Sequence, residues 1–168
     1  MKQNFVFSAQ APYPAVEVQG SNAIYAMEML SNIGSRNSEM SAVSLYFYNS
    51  IIAKKQFEEI AECFHEISIV EMHHMNIFGQ FALLLGADPR LWSYEGRQPA
   101  YWSPGYNHYP RRIKDVLRNA AEGEHAAIKK YREQAEWIKD PHITESLNRI
   151  IADEEHHLEI FDQLYRTL

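Results

Sequence analysis

Apolar side chains recur every three to four residues in four long stretches of the chain, with no strand-like alternation between them. The pattern predicts helices over about 22–53, 56–85, 111–138 and 141–166. The second helix carries Ile60, Phe64, Ile67, Phe78, Phe81 and Leu85 on one face; the fourth carries Ile143, Leu147, Ile150, Phe161, Leu164 and Leu168. The third presents Ile113, Leu117, Ala120, Ala127, Tyr131, Ala135 and Ile138. The first is less regular, its second half giving Ala42, Tyr46, Asn49 and Ala53. Asp140-Pro141 combines an N-cap with a first-turn proline, where a fixed φ is useful and a missing N–H costs nothing. Pro110 is placed to open the third helix in the same way, and Gly86 to stop the second.

Short connections join the first helix to the second and the third to the fourth, so each pair forms an antiparallel hairpin. The segment from Gly86 to Pro110 is longer and holds Trp92, Tyr94, Tyr101, Trp102, Tyr106 and Tyr109. It reads as an ordered crossover from one end of a bundle to the other, its aromatics covering the outside. Residues 1–20, with Pro12 and Pro14, form an irregular N-terminal arm, and residues 21–168 form one all-α antiparallel four-helix bundle.

Near its middle, each apolar stripe is interrupted by a carboxylate: Glu39, Glu71, Glu124 and Glu154. In the second and fourth helices a histidine follows three residues later, His74 and His157, on the same face. No lysine or arginine occupies a stripe position, so four buried glutamates would face one another without cations. Two divalent ions would neutralise them. Carboxylate oxygen with imidazole nitrogen suits iron, manganese or zinc. The spacing also repeats: the Glu-to-Glu intervals are 32 and 30 residues, and Tyr46 and Tyr131 each follow a glutamate at +7. Two similar hairpins thus build one site with approximate twofold symmetry.

Composition narrows the function. With 16 basic against 22 acidic side chains the net charge is −6, which leaves no footprint for nucleic acid. No apolar run approaches the ~20 residues of a membrane-spanning helix. A single cysteine, Cys63, excludes a disulfide framework or thiolate cluster within the chain. The start, Met1 to Phe5, lacks a long apolar signal core, and a cytoplasmic location is expected.

The set Glu39, Glu71-Met72-His73-His74, Glu124 and Asp153-Glu154-Glu155-His156-His157 resembles the ferritin-like di-iron carboxylate superfamily, in its bacterioferritin and rubrerythrin branches. The resemblance covers about residues 37–165. It implies a ferritin-like bundle in which Glu71 and Glu154 bridge two iron ions, Glu39 and His74 completing one site and Glu124 and His157 the other. It further implies an oxidoreductase that reduces peroxide or dioxygen, two ions about 3.5–4 Å apart each giving one electron. Rubrerythrins usually add a rubredoxin module with four cysteines; with one cysteine here, the electron donor is expected to be a separate protein. They also place a further Glu where this chain has Ala127. Storage of bacterioferritin type is the alternative, followed by a manganese catalase-like activity, set against by Glu154, and by a non-enzymatic metal bundle. Met72 stands where bacterioferritins carry a haem-ligating methionine, but methionine is also an ordinary gap-filler, and haem is not expected. A homodimer is expected.

Other residues receive plainer readings. The pairs Glu62/His65, Glu122/His125 and Asp153/His156 share the Glu/His spacing but fall off the stripes, on faces expected to be solvated, as is His73. Tyr46 and Tyr131 are expected chiefly as core aromatics, with a hydrogen bond to the site or a redox role as the alternative.

Overall fold

The computed structural model describes residues 5–168. The first four residues of the expected arm, and with them the start read for a signal core, lie outside the described residues. Helices α1 (Ala23–Gly34) and α2 (Glu39–Ala53) together fill the place of the first predicted helix. They are followed by α3 (Glu58–Leu84), a hairpin of β1 (Trp92–Glu95) and β2 (Gln98–Tyr101), a 3₁₀ turn at Pro104–Tyr106, then α4 (Ile113–Trp137) and α5 (Pro141–Arg166). The long helices pack as two hairpins, α2 on α3 and α4 on α5, in a four-helix bundle. No helix among the described residues is long and apolar enough to cross a membrane.

Four sequence expectations need correction. The first helix is not continuous: Gly34-Ser35-Arg36-Asn37-Ser38 interrupts it, and Ser38 caps α2 with its hydroxyl 3.4 Å from the Ser41 N–H. Carbonyls freed by the break are taken by Lys130, whose ammonium donates to Ser31 O (3.0 Å) and Asn37 O (2.7 Å). Burial lowers the Lys130 pKa to about 8, against the pull of Glu39 and Glu28. The crossover contains strands, paired from Trp92↔Tyr101 to Glu95↔Gln98 around a two-residue turn whose Gly96 has φ +63°. Pro110 does not open α4, which starts at Ile113 with Arg112 at the cap. Leu168 lies beyond α5 and is exposed.

Other boundaries follow local chemistry. Asp140 caps α5, accepting from the His142 N–H at 3.1 Å, with Pro141 in the first turn. Gly86, at φ +103°, ends the turn after α3. The crossover is fixed across α2: the Trp102 indole donates to Ser41 Oγ (3.0 Å), and Asn107 Nδ2 donates to Ser41 O (3.1 Å) and Ser44 Oγ (2.8 Å).

Two apolar clusters fill the bundle. One includes Met29, Ile33, Phe78, Phe81, Ile143, Leu147 and Ile150; the other includes Tyr46, Phe64, Ile67, Leu117, Phe161 and Leu164. The stripe carboxylates and histidines lie between them in sequence on α3 and α5, and all are buried. The N-terminal arm spans both clusters, with Phe5 and Phe7 against the second and Tyr13, Val16 and Val18 against the first.

The hairpin can reach α1 only because residue 34 is glycine: a Cβ there would stand 2.5 Å from Trp92 N and 2.7 Å from Trp92 O. Backbone atoms cannot swing aside as a side-chain tip can. Gly34→Ala is therefore expected to destabilise the fold by about 1–3 kcal/mol, read as a lowered urea midpoint with an unchanged m-value.

Candidate metal centre

The break before α2 decides where Glu39 sits. It becomes the first residue of a helix, where free N–H groups and the helix dipole favour a carboxylate. Glu71 and His74 lie one turn apart at the middle of α3, Glu154 and His157 likewise on α5, and Glu124 at the middle of α4. The structure brings all six predicted residues together as two overlapping groups. Ligand atoms of Glu39, Glu71, His74 and Glu154 lie within 4.8 Å of one another, and so do those of Glu71, Glu124, Glu154 and His157. Glu71 and Glu154 belong to both.

Each imidazole aims Nδ1 inward. His74 Nδ1 is 3.1 Å from Glu71 Oε2, 3.3 Å from Glu154 Oε1 and 3.9 Å from Glu39 Oε2. His157 Nδ1 is 3.0 Å from both Glu71 Oε1 and Glu154 Oε2, and 3.5 Å from Glu124 Oε1. Two donors bound at about 2.1 Å to one ion at a right angle sit about 3 Å apart, so these spacings suit a shared cation. Glu71 Oε1 and Glu154 Oε1 are also buried without a hydrogen bond, their lone pairs left for a centre between the helices. The donor set and the orphaned oxygens fit a pair of divalent metals.

The charges tell the same story. Burial, with the neighbouring Glu71 and Glu154, raises the Glu39 pKa well above the carboxylate range. The same causes take Glu124 to about 8. Burial alone would lower both imidazole pKa values, but the facing carboxylates hold His74 and His157 well above the usual histidine range. Burial would likewise raise Glu71, yet the two imidazoles, His157 at 3.0 Å and His74 at 3.1 Å, hold it far below the usual carboxylate range. Without metal, then, protons on two histidines and two glutamates do the neutralising.

Two tyrosines brace the outer carboxylates crosswise. Tyr46 on α2 donates to Glu124 Oε1 on α4 at 2.5 Å, and Tyr131 on α4 donates to Glu39 on α2. Their hydroxyl pKa values rise well above the usual tyrosine range through burial and these glutamates. Both are core aromatics and both bond to the site, so the core and hydrogen-bond readings of them hold together.

The two sides of the centre differ. Between α2 and α4 a cavity of about 300 Å³ reaches the carboxylates, lined among others by Glu39, Tyr46, Asn107, Gly123, Glu124 and Ala127. On the other side the outward Nε2 atoms are covered: His157 Nε2 lies 2.9 Å from Phe7 O, and His74 Nε2 lies 2.9 Å from Asp153 Oδ2. Asp153 is fully buried, a correction to its expected place on a solvated face. The face it occupies is covered by the arm, which helical periodicity cannot reveal. Burial raises its pKa, but hydrogen bonds from His74 and Tyr13 outweigh this and hold it at about 2. Glu62, His65, Glu122, His125 and His73 are exposed, as expected.

Fold and site together define a ferritin-like bundle of the di-iron carboxylate class. A family model described as Rubrerythrin matches residues 34–165, and the chain belongs to that family. No curated protein sequence matches the chain. Among solved structures it is similar to the manganese catalase KatB from Anabaena, at TM-score 0.83 and 19% identity over 97% of this chain and 80% of that one. It is also similar to Rhodobacter capsulatus bacterioferritin, at TM-score 0.74 and 22% identity over 89% of this chain and 88% of that one. A dodecameric thioferritin from Bacteroides fragilis aligns at TM-score 0.68 and 19% identity, over 88% and 87%.

The protonation pattern has a measurable consequence. Metals must displace the protons on His74, His157, Glu39 and Glu124, so loading releases more than one proton per chain and tightens with rising pH. The sign for the metal-free fold is the reverse. These groups have folded pKa values above their unfolded ones, so they stabilise at low pH. That contribution fades above the unfolded values, 4.5 for the glutamates and 6.5 for the histidines, as pH climbs through the folded ones, about 8 for Glu124. Cobalt(II) titration and thermal melts across this range are expected to show affinity rising while metal-free stability falls.

Proposed function

We propose that this protein is a dinuclear-metal oxidoreductase that reduces hydrogen peroxide or dioxygen. The observation that carries the reading is the pair of four-residue groups sharing Glu71 and Glu154 at the floor of a cavity of about 300 Å³. That volume lies at the small end of ligand pockets and admits hydrogen peroxide or dioxygen with room for water beside it. Iron is the first choice of metal and manganese the second. Two such ions, when bound, supply one electron each to an O–O bond, so that peroxide, two electrons and two protons give two waters.

The chain's own residues have separate tasks. Glu71 and Glu154 would bridge, Glu39 with His74 would complete one position, and Glu124 with His157 the other. Tyr46 and Tyr131 hold the outer carboxylates by one oxygen each and leave the second oxygen free to turn. Their hydroxyls are also proton donors standing at the cavity wall. Ala127, on the same wall, leaves space that a longer side chain would fill. Electrons come from a separate donor protein, because the single Cys63 is buried and cannot build a thiolate cluster. The expected assembly is a homodimer, which gel filtration distinguishes from a storage shell.

A second reading has one observation in its favour. The span shared with the manganese catalase KatB covers 97% of this chain and so takes in most of the N-terminal arm. Peroxide dismutation with manganese would need no external donor and would evolve oxygen.

The decisive experiment loads metal-free protein with iron(II) or manganese(II) and follows peroxide loss with and without an electron donor. Saturation at two ions per chain and donor-dependent peroxide loss without oxygen release is expected. Oxygen release by the manganese form would move the function to catalase, and iron uptake far beyond two per chain would move it to storage. Glu71→Ala and Glu154→Ala are each expected to abolish paired-metal binding while far-UV circular dichroism stays helical. Two ions per chain in both variants would overturn the ligand assignment.

A further inference from the structure

The covered side of the centre is built by the N-terminal arm. Asp153 collects four donors: the Ala9 N–H (2.6 Å) and Arg149 Nη1 (2.5 Å) on Oδ1, and the Tyr13 hydroxyl (2.5 Å) and His74 Nε2 (2.9 Å) on Oδ2. The same guanidinium fixes the arm itself. Arg149 Nε donates to Ala11 O at 2.5 Å, Nη2 donates to Ala9 O at 2.7 Å, and the group lies 4.1 Å from the centroid of the Tyr13 ring. The Tyr13 hydroxyl also stands 3.5 Å from His74 Nε2, and its ring meets His73 edge-on at 4.4 Å.

Both histidines therefore end on the arm, His157 directly at the Phe7 carbonyl and His74 through Asp153 and Tyr13. An imidazole offers Nδ1 to a cation only when its remaining proton sits on Nε2, which requires an acceptor there. A backbone carbonyl can only accept, so Phe7 fixes the His157 tautomer. On the His74 side the acceptor is a carboxylate, whose oxygens can turn unless other donors fix them. The Tyr13 hydroxyl fixes Oδ2, the oxygen that His74 uses.

We propose that the N-terminal arm is a clamp on the histidine side of the centre, and that Tyr13 is a positioning residue that holds His74 through Asp153. The inference rests on the paired-metal reading above. It predicts unequal dependence: the position containing His74 relies on a side chain of the arm, and that containing His157 on the arm's backbone. Loss of the Tyr13 hydroxyl therefore loosens one metal position and spares the other.

The test uses the full chain, stripped of metal and titrated with zinc against a chromophoric chelator. In the zinc-loaded protein, the ring Nε2–H resonances of His74 and His157 are followed by NMR. Tyr13→Phe removes the hydroxyl and keeps the ring on Arg149. It is expected to bind two zinc ions, one of them about 10-fold more weakly. The His74 Nε2–H is expected to shift and exchange faster while that of His157 stays in place. Tyr13→Ala, which also removes the ring that anchors the arm, is expected to disturb both resonances. Unchanged affinities and resonances in Tyr13→Phe would overturn the clamp. So would a parallel weakening of both ions in step with a lowered melting temperature, which marks a merely structural role. Failure of the unsubstituted protein to bind two zinc ions would instead overturn the paired-metal reading, and the clamp with it.

Discussion

Four glutamates face one another across the middle of an apolar bundle, and among the described residues the only ion pairs reaching them come from two histidines. Burying such charges costs several kcal/mol per ion even after relaxation, so every neighbouring feature can be understood as compensation. Apolar clusters on either side supply the burial free energy that tolerates the polar layer. Protons on His74, His157, Glu39 and Glu124 balance the charge when metal is absent. Tyr46 and Tyr131 satisfy one oxygen of each outer glutamate. What remains unsatisfied, Glu71 Oε1 and Glu154 Oε1, lies where two cations would share ligands.

The same constraint explains two departures from a plain bundle. Breaking the first helix places Glu39 at the start of α2, where the helix dipole favours its charge, and Lys130 takes up the carbonyls that the break exposes. The hairpin then closes against the end of α1 at Gly34. On the opposite face the arm supplies the acceptor for His157 Nε2, the Phe7 carbonyl, and the donors that hold Asp153, the acceptor for His74 Nε2. A bundle of helices alone would leave His157 Nε2 without the Phe7 carbonyl and leave Asp153 without the Ala9 N–H and the Tyr13 hydroxyl. The segments outside the regular helices are thus as much part of the centre as the helices are.

How much of this was legible in the sequence follows from what periodicity encodes. A three-four stripe reports which face of a helix meets other helices, so the bundle and the six central residues could be read directly. It is silent about faces covered by irregular chain. Asp153 sits one residue from Glu154, on a face that the arm buries, and its acid-x-x-His spacing to His156 made it resemble the exposed pairs. The break at 35–38 carried a signal in its Gly-Ser and Asn-Ser pairs, with Ser38 as a cap, but apolar residues resume on both sides and mask it. The β-hairpin has only four residues per strand, too few for alternation to stand out, and Pro99 within β2 argues against a strand.

The asymmetry of the centre bears on chemistry more than the ligand set does. Histidines held from outside by a carbonyl and a shared carboxylate have fixed rings, whereas the outer glutamates, each tied by one tyrosine bond, retain an oxygen that can turn. Carboxylates that change their mode of binding accommodate a metal that changes charge, and the cavity opens on those carboxylates. The cavity thus opens on the adjustable side of the site, while the arm covers the opposite side. In this chain the cavity wall sets Ala127 and Asn107 beside the outer glutamates, and on the far side the histidines meet the Phe7 carbonyl and Asp153.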